Sequence, residues 1–86
     1  MQKLHILRLL NLPRDTSKAD IEAVIKEFAK PIEVKVAMKK KGVCDGYAFI
    51  EFESERDMLA ARERLNSYVW KSRLLYTIPQ FARKQL

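Results

Sequence analysis

Asp45-Gly46-Tyr47-Ala48-Phe49-Ile50-Glu51-Phe52 is the stretch whose reading decides the fold. In a strand, successive side chains point to opposite faces. One face then carries Ala48, Ile50 and Phe52, and the other carries Tyr47, Phe49 and Glu51. The first set is apolar throughout and suits a packed core. The second places two aromatic rings two residues apart with an acid beside them. Aromatics on a sheet usually belong to the core. Here Ala48 and Phe52 already supply the core side, so the Tyr47 and Phe49 rings are predicted to lie on an open face. Uncovered rings of that kind mark an interaction surface.

The flanking segments supply the other elements. Leu4 to Leu12 is apolar apart from His5, Arg8 and Asn11, which predicts a central strand ended by Pro13. Ser17-Lys18-Ala19-Asp20 is a capping box, with the Ser17 hydroxyl accepting from the amide three residues on. Ile21, Val24, Ile25 and Phe28 follow at helical spacing, and Pro31 is expected to stop that helix. Ile32, Val34, Val36 and Met38 alternate with Glu33, Lys35 and Ala37, the pattern of a half-buried strand. Lys39 to Asp45 is a loop containing Gly42. Ser54-Glu55-Arg56-Asp57 repeats the capping pattern and opens a helix with Met58, Ala61 and Leu65 inward. Tyr68 to Ser72 reads as a turn or short hairpin, and Leu74 to Ile78 as a last strand closed by Pro79. The order is βαββαβ, an α+β ferredoxin-like arrangement: a four-stranded antiparallel sheet with two helices on one face.

Composition narrows the function. At 86 residues there is room for one domain, residues 1–86. Seventeen Lys and Arg against eleven Asp and Glu give a formal charge of +6, which favours an anionic partner. The charge is clustered: Lys39-Lys40-Lys41 form a run, and Tyr68 to Leu86 contains Lys71, Arg73, Arg83 and Lys84 but no acid. The single cysteine, Cys44, excludes an internal disulfide and a cysteine-based metal cluster. No apolar run approaches the ~18 residues of a membrane helix, and no signal peptide is expected at the N-terminus. A reducing compartment, nucleus or cytoplasm, follows as the expectation. His5 is isolated in a strand, and no His/Cys/Asp cluster is present for catalysis. Neither enzymatic activity nor a cofactor is expected.

The decisive stretch resembles the RNP1 signature of the RNA-recognition motif (RRM) family, K/R-G-F/Y-G/A-F-V-x-F/Y, at every slot after the first, with Ile50 standing for Val. Leu7-Arg8-Leu9-Leu10-Asn11-Leu12, followed by Pro13, resembles the family's RNP2 segment. The resemblance covers essentially the whole chain and implies single-stranded RNA binding on the open sheet face, where each base stacked on a ring is worth roughly 1–3 kcal/mol. It also implies further contacts from Lys35 on the second strand, from Lys39, Lys40 and Lys41 in the loop before RNP1, from Tyr76 on the last strand, and from Arg83 and Lys84 beyond Pro79. The chain departs from the family at two points. Asp45 replaces the basic residue that opens RNP1, and Arg8 stands where RNP2 normally supplies an aromatic. Two roles are open to Arg8: its guanidinium stacks on a base or pairs with phosphate, or it forms a salt bridge with Glu51 or Asp45.

Shorter matches at Asn11-Leu12-Pro13-Arg14, Ala48 to Phe52, Arg56-Asp57 and Trp70 to Leu75 resemble the N-terminal RRM of animal tRNA (uracil-5-)-methyltransferases. That resemblance implies a tRNA-binding module cut from a larger protein. RNA, single-stranded or tRNA, is the expected partner, met by a monomer with no membrane involved. The competing reading is an RRM that binds a protein. One splicing-factor subfamily grips a peptide through an Arg-Xaa-Phe turn, and Tyr68-Val69-Trp70 occupies that place without the arginine. Acylphosphatases share the topology, but Arg14 lacks the glycine-rich loop their chemistry needs.

Overall fold

The computed structural model describes residues 5–27, 29–39 and 42–80. Strand β1 (His5–Leu10) leads into helix α1 (Lys18–Ile25), then β2 (Pro31–Met38), β3 (Cys44–Phe52) and helix α2 (Glu55–Leu65). A short hairpin, β4 (Val69–Trp70) and β5 (Arg73–Leu74), precedes the last strand, β6 (Tyr76–Gln80). The main sheet has the order β2-β3-β1-β6 and is antiparallel throughout. Each helix therefore joins two strands that flank a third, giving two interleaved split βαβ units. The architecture is the α+β ferredoxin-like fold expected from the sequence.

One core holds it together. Leu7, Leu9, Val34, Ala48, Ile50, Phe52 and Leu75 are buried from the sheet side, facing Ile21 and Ile25 of α1 and Met58, Ala61 and Leu65 of α2. Burying such a side chain is worth about 1.5–3 kcal/mol each. Both helices begin as the sequence predicts. The Ser17 hydroxyl accepts from the Asp20 amide and the Asp20 carboxylate accepts from the Ser17 amide, each at 3.1 Å. The Ser54 hydroxyl accepts from the Asp57 amide at 3.1 Å.

The Asp20 carboxyl lies below the ordinary carboxylate range, first because the Ser17 amide donates to it, with the Ser17 hydroxyl and the Lys71 ammonium helping against partial desolvation. A depressed folded value stabilises the fold above the unfolded carboxylate pKa and loses that contribution as pH falls towards the folded value. Acid titration of thermal stability should therefore show a smaller drop below the ordinary carboxylate range in Asp20→Asn than in the parent. Superimposable parent and variant curves would remove the capping carboxylate from the acid response.

Several element ends differ from the sequence reading. β1 stops at Leu10, before Pro13, because Asn11 takes a left-handed φ of 70°. Leu4, the expected first residue of that strand, lies outside the described residues. α1 ends at Ile25 rather than running to Pro31. The Ala29 amide still bonds the Ile25 carbonyl at 2.9 Å, and Pro31 opens β2. Phe28 lies outside the described residues. Ile32 and Met38, expected inward, are 58% and 46% exposed because the β2–β3 register shifts near both ends of β2. The last strand runs from Tyr76 through Pro79 to Gln80. β6 is an edge strand, where a proline can sit with its missing N–H directed away from the ladder. Leu74 leaves that strand for the hairpin, where it pairs with Val69.

The hairpin turns through Lys71 and Ser72, both at positive φ (51° and 65°), the geometry of a two-residue type I′ turn. Asn–Gly is the usual choice there, and a left-handed residue with a Cβ costs roughly 1–2 kcal/mol. Tertiary contacts offset the cost. The Lys71 ammonium lies 3.7 Å from Asp20 and 4.8 Å from the centre of the Trp70 ring. Asn11 donates to the Leu74 carbonyl at 2.8 Å and accepts from Arg73 at 2.9 Å. Trp70, half-buried, packs against the core.

Candidate nucleic-acid interface

The helices cover one face of the sheet, and the registers fix what the other face presents. Leu7 and Leu9 of β1 point into the core, so Ile6, Arg8 and Leu10 point outward. Arg8 lies between Phe49 of β3 and Ile78 of β6, and Lys35 of β2 lies opposite Phe49. A continuous row across the four strands is thus Lys35, Phe49, Arg8, Ile78. On one side of it Tyr47, Leu10 and Tyr76 form a second row. On the other side Glu33, Glu51, Ile6 and Gln80 form a third. Tyr76 and Ile78 are 47% and 45% exposed.

Tyr47 and Phe49 pack edge to face, with ring centres 5.5 Å apart and planes at 86°. The Arg8 guanidinium carbon lies 5.0 Å from the Tyr47 centroid and 5.7 Å from the Phe49 centroid. Both distances fall within the roughly 6 Å range of a cation–π contact. Of the two roles open to Arg8, the salt bridge does not form. Asp45 pairs with Lys39 at 3.8 Å, and among the described residues Glu51 makes no ion pair with Arg8. The Arg8 Nε is shut off from solvent without a hydrogen-bond acceptor. A donor so placed costs about 1–3 kcal/mol, and the two ring faces partly compensate it. Arg8 therefore rests against the Tyr47 and Phe49 rings.

The sequence-predicted residues fall into three groups. Arg8, Tyr47, Phe49, Lys35 and Tyr76 share the open face. Lys39 is exposed at the sheet's end beside Asp45 and is tied there by its amide, which donates to the Val43 carbonyl at 2.9 Å. Lys40, Lys41, Arg83 and Lys84 lie outside the described residues. Ile78 and Glu33 were missed. Ile78 shares the alternation of Tyr76 within the expected strand, but an aliphatic side chain carries no recognition signal of its own. Glu33 shares the outward side of the β2 alternation with Lys35, but its pairing with Glu51 is fixed only by the β2–β3 register. Among the described residues, no helix is long and apolar enough to cross a membrane.

The family model for the RNA recognition motif matches residues 7–76. The chain belongs to the RNA recognition motif family. A subunit of eukaryotic translation initiation factor 3 from Anopheles gambiae is 35% identical over 63 residues, covering 72% of this chain and 23% of that protein. Polyadenylate-binding protein 7 of Arabidopsis thaliana is 31% identical over 75 residues, covering 87% of this chain and 12% of that protein. This RRM thus spans under a quarter of the length of these curated relatives. Among solved structures, the Rna15 RRM with bound RNA (GU) superimposes with a TM-score of 0.78 at 29% identity, covering 84% of this chain and 78% of that one.

Proposed function

We propose that this RRM binds single-stranded RNA on its open sheet face, as one binding module of a longer protein. The observation that carries the reading is the cluster of Tyr47, Phe49 and Arg8: two rings and a guanidinium on a face that, among the described residues, no helix covers. Bases offer flat faces to rings and guanidinium planes alike. Lys35 flanks the cluster on β2, and Tyr76 and Ile78 extend it on β6. Lys39, Lys40, Lys41, Arg83 and Lys84 supply charge for phosphates. The relatives, a component of a translation initiation factor and a polyadenylate-binding protein, support the RNA reading and fit the nucleus or cytoplasm.

Titration with a short oligouridylate and, separately, with a tRNA tests the reading. Arg8→Ala should weaken oligouridylate binding about as much as losing one ring, roughly 1–3 kcal/mol. Arg8→Tyr should restore or improve it. Unchanged affinity for Arg8→Ala with no gain for Arg8→Tyr would refute the idea that Arg8 takes the place of the aromatic and would strengthen the protein-partner reading. The finer reading, a tRNA-binding module of a uracil-5-methyltransferase, rests on the short matches around Asn11, Arg56 and Trp70. It requires tRNA to bind more tightly than the oligouridylate at the same salt.

The basic loop should act without regard to sequence. Neutralising Lys39, Lys40 and Lys41 together should weaken every RNA alike. It should also flatten the dependence of log affinity on log salt by about 0.7 for each phosphate no longer neutralised on a single strand. A triple alanine variant with the parent's affinity and salt slope would take the loop out of the interface.

A further inference from the structure

The third row of the open face contains a feature that RNA binding alone leaves unexplained. Glu33 and Glu51 are direct cross-strand partners, so their Cβ atoms sit about 4.5–5.5 Å apart. Like charges in that relation destabilise a sheet, and on an RNA-binding face they also repel phosphate. Among the described residues neither carboxylate is ion-paired. They are not isolated from the aromatic platform. Together with Phe49, Lys35 and Ile6 they line a shallow depression of about 80 Å³. A base lying on Phe49 would therefore have one edge towards two acceptor-only carboxylates and another towards the cations Lys35 and Arg8, which flank Phe49 in the register.

The four bases differ in whether they can satisfy both sides. A carboxylate offers two oxygens and no donor, so it best meets two adjacent N–H groups. Guanine presents such a pair, N1–H beside the N2 amino group, and its O6 and N7 acceptors suit an arginine or lysine. Cytosine and adenine each set one amino donor beside a ring-nitrogen acceptor, which would face the second carboxylate oxygen. Uracil sets its single N3–H between two carbonyl oxygens. A divalent cation is a poorer occupant, since two carboxylates bordered by a lysine offer few ligands and a competing charge.

We propose that the sheet selects guanine at the Phe49 position, with Glu51 and Glu33 accepting from its N1–H and N2 amino group and Arg8 or Lys35 meeting O6 and N7. The proposal rests on the RNA-binding reading and adds a base preference to it. The same carboxylates keep phosphate out of the depression, so a base and not the backbone enters there.

The test uses short oligouridylates carrying one central guanosine, adenosine, cytidine or inosine, beside the all-uridine parent. Each is titrated against the unmodified chain and against Glu51→Gln and Glu33→Gln. Both side chains lie on the sheet's outer face, and an amide spectrum checks that each variant keeps the fold. The guanosine oligonucleotide should bind about five- to a hundredfold more tightly than the adenosine and cytidine ones. Inosine, which keeps N1–H and O6 but lacks the N2 amino group, should fall between. Glu51→Gln should remove most of the preference while leaving all-uridine binding equal or tighter, because a negative charge has gone. Equal affinity for all the oligonucleotides would overturn the preference and leave RNA binding standing. A guanosine preference that survives both substitutions would overturn the carboxylates' part in it and so the proposal. Failure of every oligonucleotide to bind would overturn the RNA-binding reading itself, and the preference with it.

Discussion

Phe52→Ala is expected to lower the unfolding free energy by about 3–5 kcal/mol. The Phe52 ring is 1% exposed and packs in the core beneath the helices. Its backbone pairs with His5 of β1 and Pro31 of β2, so it is clamped on both sides at the end of the central strand. Truncation removes the ring's burial and leaves a void that the clamped strands close only in part. A domain of this size has about 5–15 kcal/mol in total, so much of the margin disappears. Chemical denaturation monitored through Trp70 measures the change. A midpoint equal to the parent's would place Phe52 on the wrong face and undo the strand register.

Phe49→Ala, three residues earlier on the same strand, should have the opposite profile. Its ring lies on the open face, between Lys35 and Arg8, and packs on Tyr47 and Arg8 and not within the core cluster. Stability should change little while affinity for single-stranded RNA falls by roughly 1–3 kcal/mol, or about five- to 150-fold. Tyr47→Ala should behave alike, and because Arg8 rests over both rings the two losses should not be additive. If both single variants bind RNA as the parent does, the rings are not the platform.

These two substitutions probe what the sequence made most legible. β3 could be assigned face by face because its two sides differ so sharply in composition: Ala48, Ile50 and Phe52 against Tyr47, Phe49 and Glu51. Ser17 with Asp20 and Ser54 with Asp57 marked both helix starts, because a short polar side chain capping an amide is a local event. What escaped notice depends on neighbours distant in the chain. Pro79 reads as a stop, yet on an edge strand its missing N–H breaks no ladder bond, so β6 runs on to Gln80. Ile32 and Met38 fit a strict alternation that the β2–β3 register shifts interrupt. The clasp of Asn11 on Leu74 and Arg73 joins residues more than sixty positions apart and left no local signal. The role of Arg8 was open for the same reason. Its chemistry permits contact with RNA or a salt bridge with Glu51 or Asp45, and only the fold shows that the guanidinium lies against Tyr47 and Phe49 instead of an acid.

The claim on which the rest depends is that the open sheet face, and not the helices or the hairpin, takes the RNA. Amide and arginine side-chain chemical-shift mapping during titration with a short single-stranded oligonucleotide tests it directly. The predicted result is a contiguous set of shifts along β1 and β3, centred on Arg8, Tyr47 and Phe49 and reaching Lys35 and Tyr76, with a marked change at the buried Arg8 Nε–H. Shifts confined to α1, α2 or the Val69–Leu74 hairpin, with Tyr47, Phe49 and Arg8 unmoved, would contradict it.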